Sequence, residues 1–310
     1  MLARSLRNIC LVSILLLIMS LICLHFSERN LRQSLRGDLL FADIEGNIPL
    51  YDQIEISSKD KKITLQKDET FWRVPEADNY YAHFAKLQTL QESISSAKVG
   101  AKIKPMTQVS DWTTVTLFDR GKKVGAAEIS DAANPERHYI RYPGQDNIYL
   151  SSWQAQLPMS LNSWTVQPLL RIKQVEIKKI ETDNRTISRR EEGAAFYNSQ
   201  THLPYTRLES TRLFAVLADL HYEQVLSSQE FDEPRYTSVH HLSLTSFEGL
   251  ITTLSVHTDF EKYWLKVELS ATSLPSTETN EYIAKNKILY DDWWFELSPE
   301  AGNVLYSFNL

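Results

Sequence analysis

Cysteine is nearly absent from this 310-residue chain: Cys10 and Cys23 are its only two, and the 287 residues after Cys23 have none. Zinc–thiolate centres, cysteine nucleophiles and disulfide staples are thereby excluded from the body of the protein. A chain of this length can rely on apolar cores alone, one in each of two domains. Glycine is also scarce, at nine residues, which disfavours the glycine-rich loops that bring backbone close to phosphate. Basic charge runs short in the body. Beyond Gly37 the chain holds 28 Lys and Arg against 38 Asp and Glu, a net of −10, so there is no basic face to replace the counterions of a nucleic acid. GxSxG, Walker, HExxH and kinase signatures are missing too.

What is present begins with an apolar run. ICLVSILLLIMSLICLHF, residues 9–26, is eighteen residues without Asp, Glu, Lys or Arg. As a helix it would span roughly 27 Å at about 1.5 Å per residue, close to the thickness of a bilayer's hydrocarbon core. The following SERNLRQ offers no small-x-small cleavage site, and Ile22 before Cys23 does not fit a lipoprotein signal. The reading is a retained anchor over 9–26 after a cytoplasmic tail over 1–8, with Cys10 and Cys23 as apolar fillers. Arg4 and Arg7 precede the run while Arg29, Arg32 and Arg36 follow it, so charge alone leaves orientation open. Residues 27–49 form a juxtamembrane segment whose basic stripe, alternating with Leu31, Leu35 and Leu39, suits anionic headgroups or plain solvent.

The body reads as one pattern written twice. FAKLQTL at Phe84–Leu90 shares four of seven residues with FAVLADL at Phe214–Leu220. Ahead of the first lie two strand-like stretches, with Ile54 and Ile56, then Ile63 and Leu65, alternating against polar neighbours. Asp78 is placed to cap a helix carrying Tyr80 or Tyr81, Phe84, Leu87, Leu90 and Ile94. In the second half Val175 and Ile177 match Ile54 and Ile56, and Phe196 and Tyr197 match Phe71 and Trp72. Ser210 is placed to cap a helix with Leu213, Phe214, Leu217 and Leu220. WTTVTLFDRGKKVGAAEI and HHLSLTSFEGLITTLSV both read as hairpins, turning at Gly121 and near Gly249, and HYIRY pairs with YWLKVEL. The fold expectation is α+β: two tandem copies, over 50–166 and 167–310, of a mainly antiparallel sheet with one packed helix each. The join falls near Leu157–Gln167. SATSLPSTETNEY reads as loop, and ILYDDWWFELS and VLYSFNL as closing strands.

The strand QIEI before ITLQKDETFWRVP, the helix with FAKLQTL, and VTLFDRGKKVGAAEI followed by YIRY and NIYL carry a resemblance. With the N-terminal anchor and the repeat from KQVEI onward, the chain resembles a bacterial family of membrane-anchored proteins, the domain-of-unknown-function family numbered forty-three forty. The resemblance implies neighbours among gliding-motility-type ABC transporter components and a body on the periplasmic side of the inner membrane. It supplies no catalytic residues.

Candidate chemistry is thin. His240 and His241 point to opposite faces of a strand, so metal binding would need one of them with His257 and Asp259 from the next. Glu230, Asp232 and Glu233 form an acidic loop, and Asp291 and Asp292 precede an aromatic run; solvated carboxylates are the ordinary outcome for both. The sequon at Asn184 is idle in a bacterium. Trp293 and Phe295 share one strand face and Trp294 takes the other, which offers either a partner surface or core on both sides. No catalytic, metal or cofactor site is assigned. The expectation is a non-catalytic membrane-anchored binding or scaffolding module, an accessory of an ABC transporter complex, with membrane lipid and an ABC transporter permease or other envelope proteins as its partners. Its alternatives are an envelope hydrolase acting on glycan or peptide and a small-ligand sensor with a site between the repeats.

Overall fold

The structure, a computed structural model, describes residues 37–43, 46–103, 109, 111–134, 137–205, 207–236, 238–259 and 261–308. The expected anchor at Ile9–Phe26 lies outside the described residues. No helix among those described is long and apolar enough to cross a membrane. The chain divides into two compact units, one made of residues up to Ile63 with Ala85–Met159, the other of Thr64–Phe84 with Ser160 onward.

Among the described residues, seventeen strands and four α-helices follow in order. They begin β1 (Gln53–Ser58), β2 (Lys61–Lys67), β3 (Trp72–Val74), β4 (Tyr80–Tyr81), α1 (Phe84–Ser96) and β5 (Val99–Ile103). Next come β6 (Thr113–Asp119), β7 (Lys122–Asn134), β8 (Arg137–Arg141) and β9 (Ile148–Ser151). The second half brings β10 (Ile177–Thr182), β11 (Thr186–Ser188), β12 (Tyr197–Asn198), α2 (Arg207–Leu217) and β13 (Gln224–Ser227). It ends with β14 (Ser238–Ser246), β15 (Leu250–Thr258), β16 (Tyr263–Ala271), α3 (Thr277–Asn286), β17 (Trp293–Leu297) and α4 (Pro299–Ser307).

The architecture is two large antiparallel sheets with few helices. One sheet has the order β4-β3-β2-β1-β6-β7-β8-β9-β5, the other β12-β11-β10-β14-β15-β16-β17-β13. Setting β4 aside, the two orders match strand for strand, and the registers match with them. Ile56 faces Val115 as Ile180 faces Leu244. Ile129 faces Ile140 as Leu254 faces Val267, and Val99 faces Ser151 as Val225 faces Phe295. The expected hairpins are local products of alternation and turn chemistry. Asp119 pairs with Lys122 across Arg120 and Gly121, both with positive φ (49° and 75°), the geometry of a two-residue primed turn.

Other expectations need correction. Val175 lies in a 3-10 turn ahead of β10 and is 45% exposed. The residues in the places of Ile54 and Ile56 are Ile177 and Ile180, both buried, because a bulge between Ile177 and Lys179 adds one residue to the strand. Phe84 opens α1 and is 76% exposed, whereas Phe214 sits deep in α2, 5% exposed and stacked on Phe196. The shared heptapeptide is therefore out of step with the folded helices, whose buried rows run Leu87, Leu90, Ile94 and Leu213, Phe214, Leu217. Tyr80 and Tyr81 form a strand rather than a helical stripe, Asp78 caps no α-helix, and Ser210 lies inside α2.

The second unit also holds three α-helices among its described residues rather than one. Ser276 accepts from the Thr279 N–H to start α3, and Ser298 accepts from the Ala301 N–H to start α4, with Pro299 in its first turn. At α3 the cap makes a helix of a stretch that reads as loop, and at α4 it outweighs the aliphatic and aromatic residues of VLYSFNL that favour strand. Helix α4 comes down on β16 so closely that a Cβ on Gly302 would stand 2.2 Å from the Tyr263 ring. Only glycine fits there.

Residues 64–84 are built into the second unit. Asp68 accepts from Arg73 and from the Phe71 and Thr70 N–H groups, which hold its carboxyl down at about 2. The Asp78 carboxylate, in left-handed backbone, accepts the Ser227 N–H at 2.5 Å. Tyr80 is wholly buried, edge-on to Trp293 at 4.9 Å, Phe295 at 5.6 Å and Tyr222 at 6.0 Å, and its hydroxyl donates to the Leu289 carbonyl at 3.1 Å. Burial pushes this phenol well above its ordinary pKa. Urea unfolding should show Tyr80→Phe losing about 1 kcal/mol, the worth of one hydrogen bond. Tyr80→Ala should lose about 3–5 kcal/mol as the ring's cavity opens.

Candidate functional site

Strand β17 carries the aromatic run that sequence analysis singled out, and all three rings are buried: Trp293 at 7%, Trp294 at 6% and Phe295 at 0% exposure. Trp293 and Phe295 pack on Tyr80. Trp294, on the opposite face, joins Phe231, Tyr236 and Trp264 in a separate aromatic cluster and stacks on Phe231 at 4.0 Å. Neither face leaves a ring in solvent, and the run packs as core on both sides. The loop after β13 roofs the second cluster by turning Phe231 and Tyr236 inward, while Glu230, Asp232 and Glu233 stay exposed.

Asp291 and Asp292 are exposed as well. The group these acids surround is a cation. Lys266 is half-buried, its Nζ hydrogen-bonded to the Asp291 carbonyl, 3.2 Å from Ser228 Oγ and 5.6 Å from the centre of the Trp294 ring. Burial lowers its pKa against the opposing pull of Asp292, Glu268, Asp291 and Glu233. The four carboxylates set their charge against that of the lysine.

The histidines scatter. His240 lies edge-on to Tyr306 at 3.9 Å. His241, on the other face, places Nδ1 2.9 Å from Ser255 Oγ. Asp259 accepts the N–H groups of Glu261 and Lys262. Among the described residues no group of three His, Cys, Asp or Glu is arranged to hold a metal ion. Arg189 is 5% exposed, and its guanidinium donates to the carbonyls of Ile177, Ala194 and Gln174, so its donors are spent on backbone rather than offered to an anion.

His257 has the most unusual surroundings. It is 5% exposed, edge-on to Trp294 at 4.6 Å, and pairs across the ladder with Trp264. Its Nδ1 and the Trp264 indole N–H are buried without a hydrogen-bond partner among the described residues. Burial lowers the His257 pKa, His241 lowers it further, and Glu233 works the other way. A histidine depressed in the folded state binds its proton more readily when unfolded, so its contribution is present above about pH 6.5 and is lost as pH falls. Urea midpoints should therefore decline from pH 8 to pH 5. His257→Phe should flatten that decline while leaving the midpoint at pH 8 nearly unchanged; His240, lowered for the same reason, supplies the remainder.

Sequence reasoning missed one further feature. In the second unit a cavity of about 380 Å³ opens under α3, against β10, β14, β15 and β16. Its floor is apolar, with Ile177, Leu244 and Leu269, and Tyr282 and Leu170 stand at its sides. Arg171, Glu176, Glu248 and Glu278 complete the lining. Arg171 is engaged with Asp219 at 3.8 Å and Glu176 with Lys173 at 3.0 Å. The Glu248 and Glu278 side chains are exposed and make no ion pair among the described residues. The legible signal was the S-x-x-T cap at Ser276–Thr279, which starts the helix that walls the cavity.

These features give the chain's own chemistry: two sheets with aromatic interiors and an apolar cavity edged by free carboxylates. Comparison with known proteins adds a family. No curated protein and no solved structure matches the chain. The model of the family described as Domain of unknown function (DUF4340) matches residues 72–238, from β3 to the start of β14, which is more than half of the sequence. The chain belongs to the DUF4340 family.

Proposed function

We propose that this protein is a membrane-anchored binding or scaffolding module of the bacterial envelope, a duplicated α+β unit held on the periplasmic side of the inner membrane and acting as accessory to an ABC transporter. The carrying observation is the repetition of one strand order and one register in two sheets. A strand order of eight places with long-range pairings is hard to reach twice by separate routes, which supports descent by duplication. Duplicated non-identical units suit recognition, because each keeps the fold while its loops and cavities diverge. The uncharged run at 9–26 supports the anchor. The transporter partner rests on the family resemblance.

The test has two arms. Full-length protein should remain with membranes after alkaline carbonate extraction, and a variant lacking residues 9–26 should move to the soluble fraction. Protease added to spheroplasts should digest the body. Gentle solubilisation and affinity capture should recover a permease or ATPase subunit with the full-length chain. Repeated recovery of the chain without either subunit would remove the transporter assignment.

A further inference from the structure

The two sheets cover the same part of their floor differently. Matching registers put Ile54 where the second sheet has Ile177, Val115 where it has Leu244, and Gly125, two residues before Ala127, where it has Leu250. Tyr142 stands in the place of Leu269, each two residues beyond a matched pair in β8 and β16. In the first unit this floor is plugged by the chain itself. Phe41 is 4% exposed and lies so close that a Cβ on Gly125 would come 3.4 Å from its ring. Its ring centre stands 6.1 Å from that of Trp153, and the Tyr142 hydroxyl donates to the Leu40 carbonyl at 3.4 Å.

The second unit has the same covering segment but a smaller plug. Leu39 bridges to Lys98 as Leu170 bridges to Leu220, so Phe41 and Ile172 each lie two residues beyond the bridge. Ile172 is half-buried and lines the 380 Å³ cavity instead of filling it. Beside this cavity stand Glu248 and Glu278, neither of them in an ion pair among the described residues.

We propose that the cavity under α3 binds a peptide segment that inserts an aromatic side chain where the first unit inserts Phe41, with an adjacent Lys or Arg set against Glu248 and Glu278. The apolar floor supplies affinity for the ring, and the two carboxylates select the charge beside it. The inference rests on the binding-module reading and names its ligand class.

The probe is N-acetyl-Phe-Lys-amide, titrated into the full-length protein in detergent and followed by ligand-observed NMR. Saturable binding is expected, about fivefold weaker for N-acetyl-Phe-Gln-amide and weaker again for N-acetyl-Phe-Glu-amide. Glu248→Gln with Glu278→Gln should erase the preference while retaining binding of the Gln peptide. Ile172→Phe should restore the first unit's plug and abolish binding of all three; Leu250→Trp, at a half-exposed position, is the second blocking variant should the first fail to fold. Binding unchanged in both folded blocking variants, no saturation with the Lys peptide, or equal binding of the Lys and Glu peptides would overturn the proposal. So would displacement of the peptide by a neutral alkyl glucoside at lower concentration, which would make the site a lipid site. Failure here with transporter subunits still recovered in the capture experiment would remove this inference alone.

Discussion

A tyrosine buried without exposure has to find an acceptor, and Tyr80 finds the carbonyl of Leu289. Much of the second unit follows from that requirement. Leu289 ends the 3-10 turn that continues α3, so the hydroxyl fixes where the helix terminates and where β17 sets out. One residue later Tyr290, also buried, donates to the carbonyl of Leu169 at 3.0 Å. Leu169 in turn donates its N–H to Leu220 at 2.7 Å. The chain of hydrogen bonds therefore holds α3, β17 and the covering segment that includes Leu170 and Ile172. Helix α3 and the covering segment are walls of the cavity. Leaving any such phenol unsatisfied would cost about 1–3 kcal/mol, enough to disfavour arrangements in which the walls slide.

The sheets were the legible part of the sequence. Alternation with period two and a positive-φ turn act over a few residues, so the hairpins around Gly121 and Gly249 could be read directly. What depended on tertiary context could not. The bulge between Ile177 and Lys179 lets Ile177 and Ile180, three residues apart, share one buried face, so strict alternation from Val175 misplaces the match. FAKLQTL and FAVLADL look alike because both obey helical spacing, yet Phe84 sits at a helix start and Phe214 near a helix end. Helix α4 hid behind VLYSFNL, whose residues suit a strand; the cap at Ser298 decided otherwise.

The candidate site was legible only in its aromatic half. Adjacent Trp293, Trp294 and Phe295 announce burial on at least one side, and their strand has it on both. The acidic loop concealed its function by interleaving: Phe231 and Tyr236 carry the packing while Glu230, Asp232 and Glu233 alternate outward. Of the cavity, the sequence shows only the cap at Ser276 that starts its wall helix. The cavity arises from a size difference between Phe41 and Ile172 at corresponding positions, and a difference of that kind becomes visible only when two registers can be laid over each other.

That difference argues for where recognition resides. A void of the size seen under α3 costs stability if it has no use, by about 24 cal/mol per Å³ in well-packed cores, though less at an open rim. The first unit shows that this fold has an inexpensive remedy, a phenylalanine two residues beyond the bridge. The second unit keeps isoleucine there, adds α3 as a wall, and leaves at the edge two glutamates with no ion pair among the described residues. A packing defect would account for the void but not for the carboxylates, and solvated surface charge would account for the carboxylates but not for the void. Selection for an occupant with both a ring and a positive charge accounts for the two together.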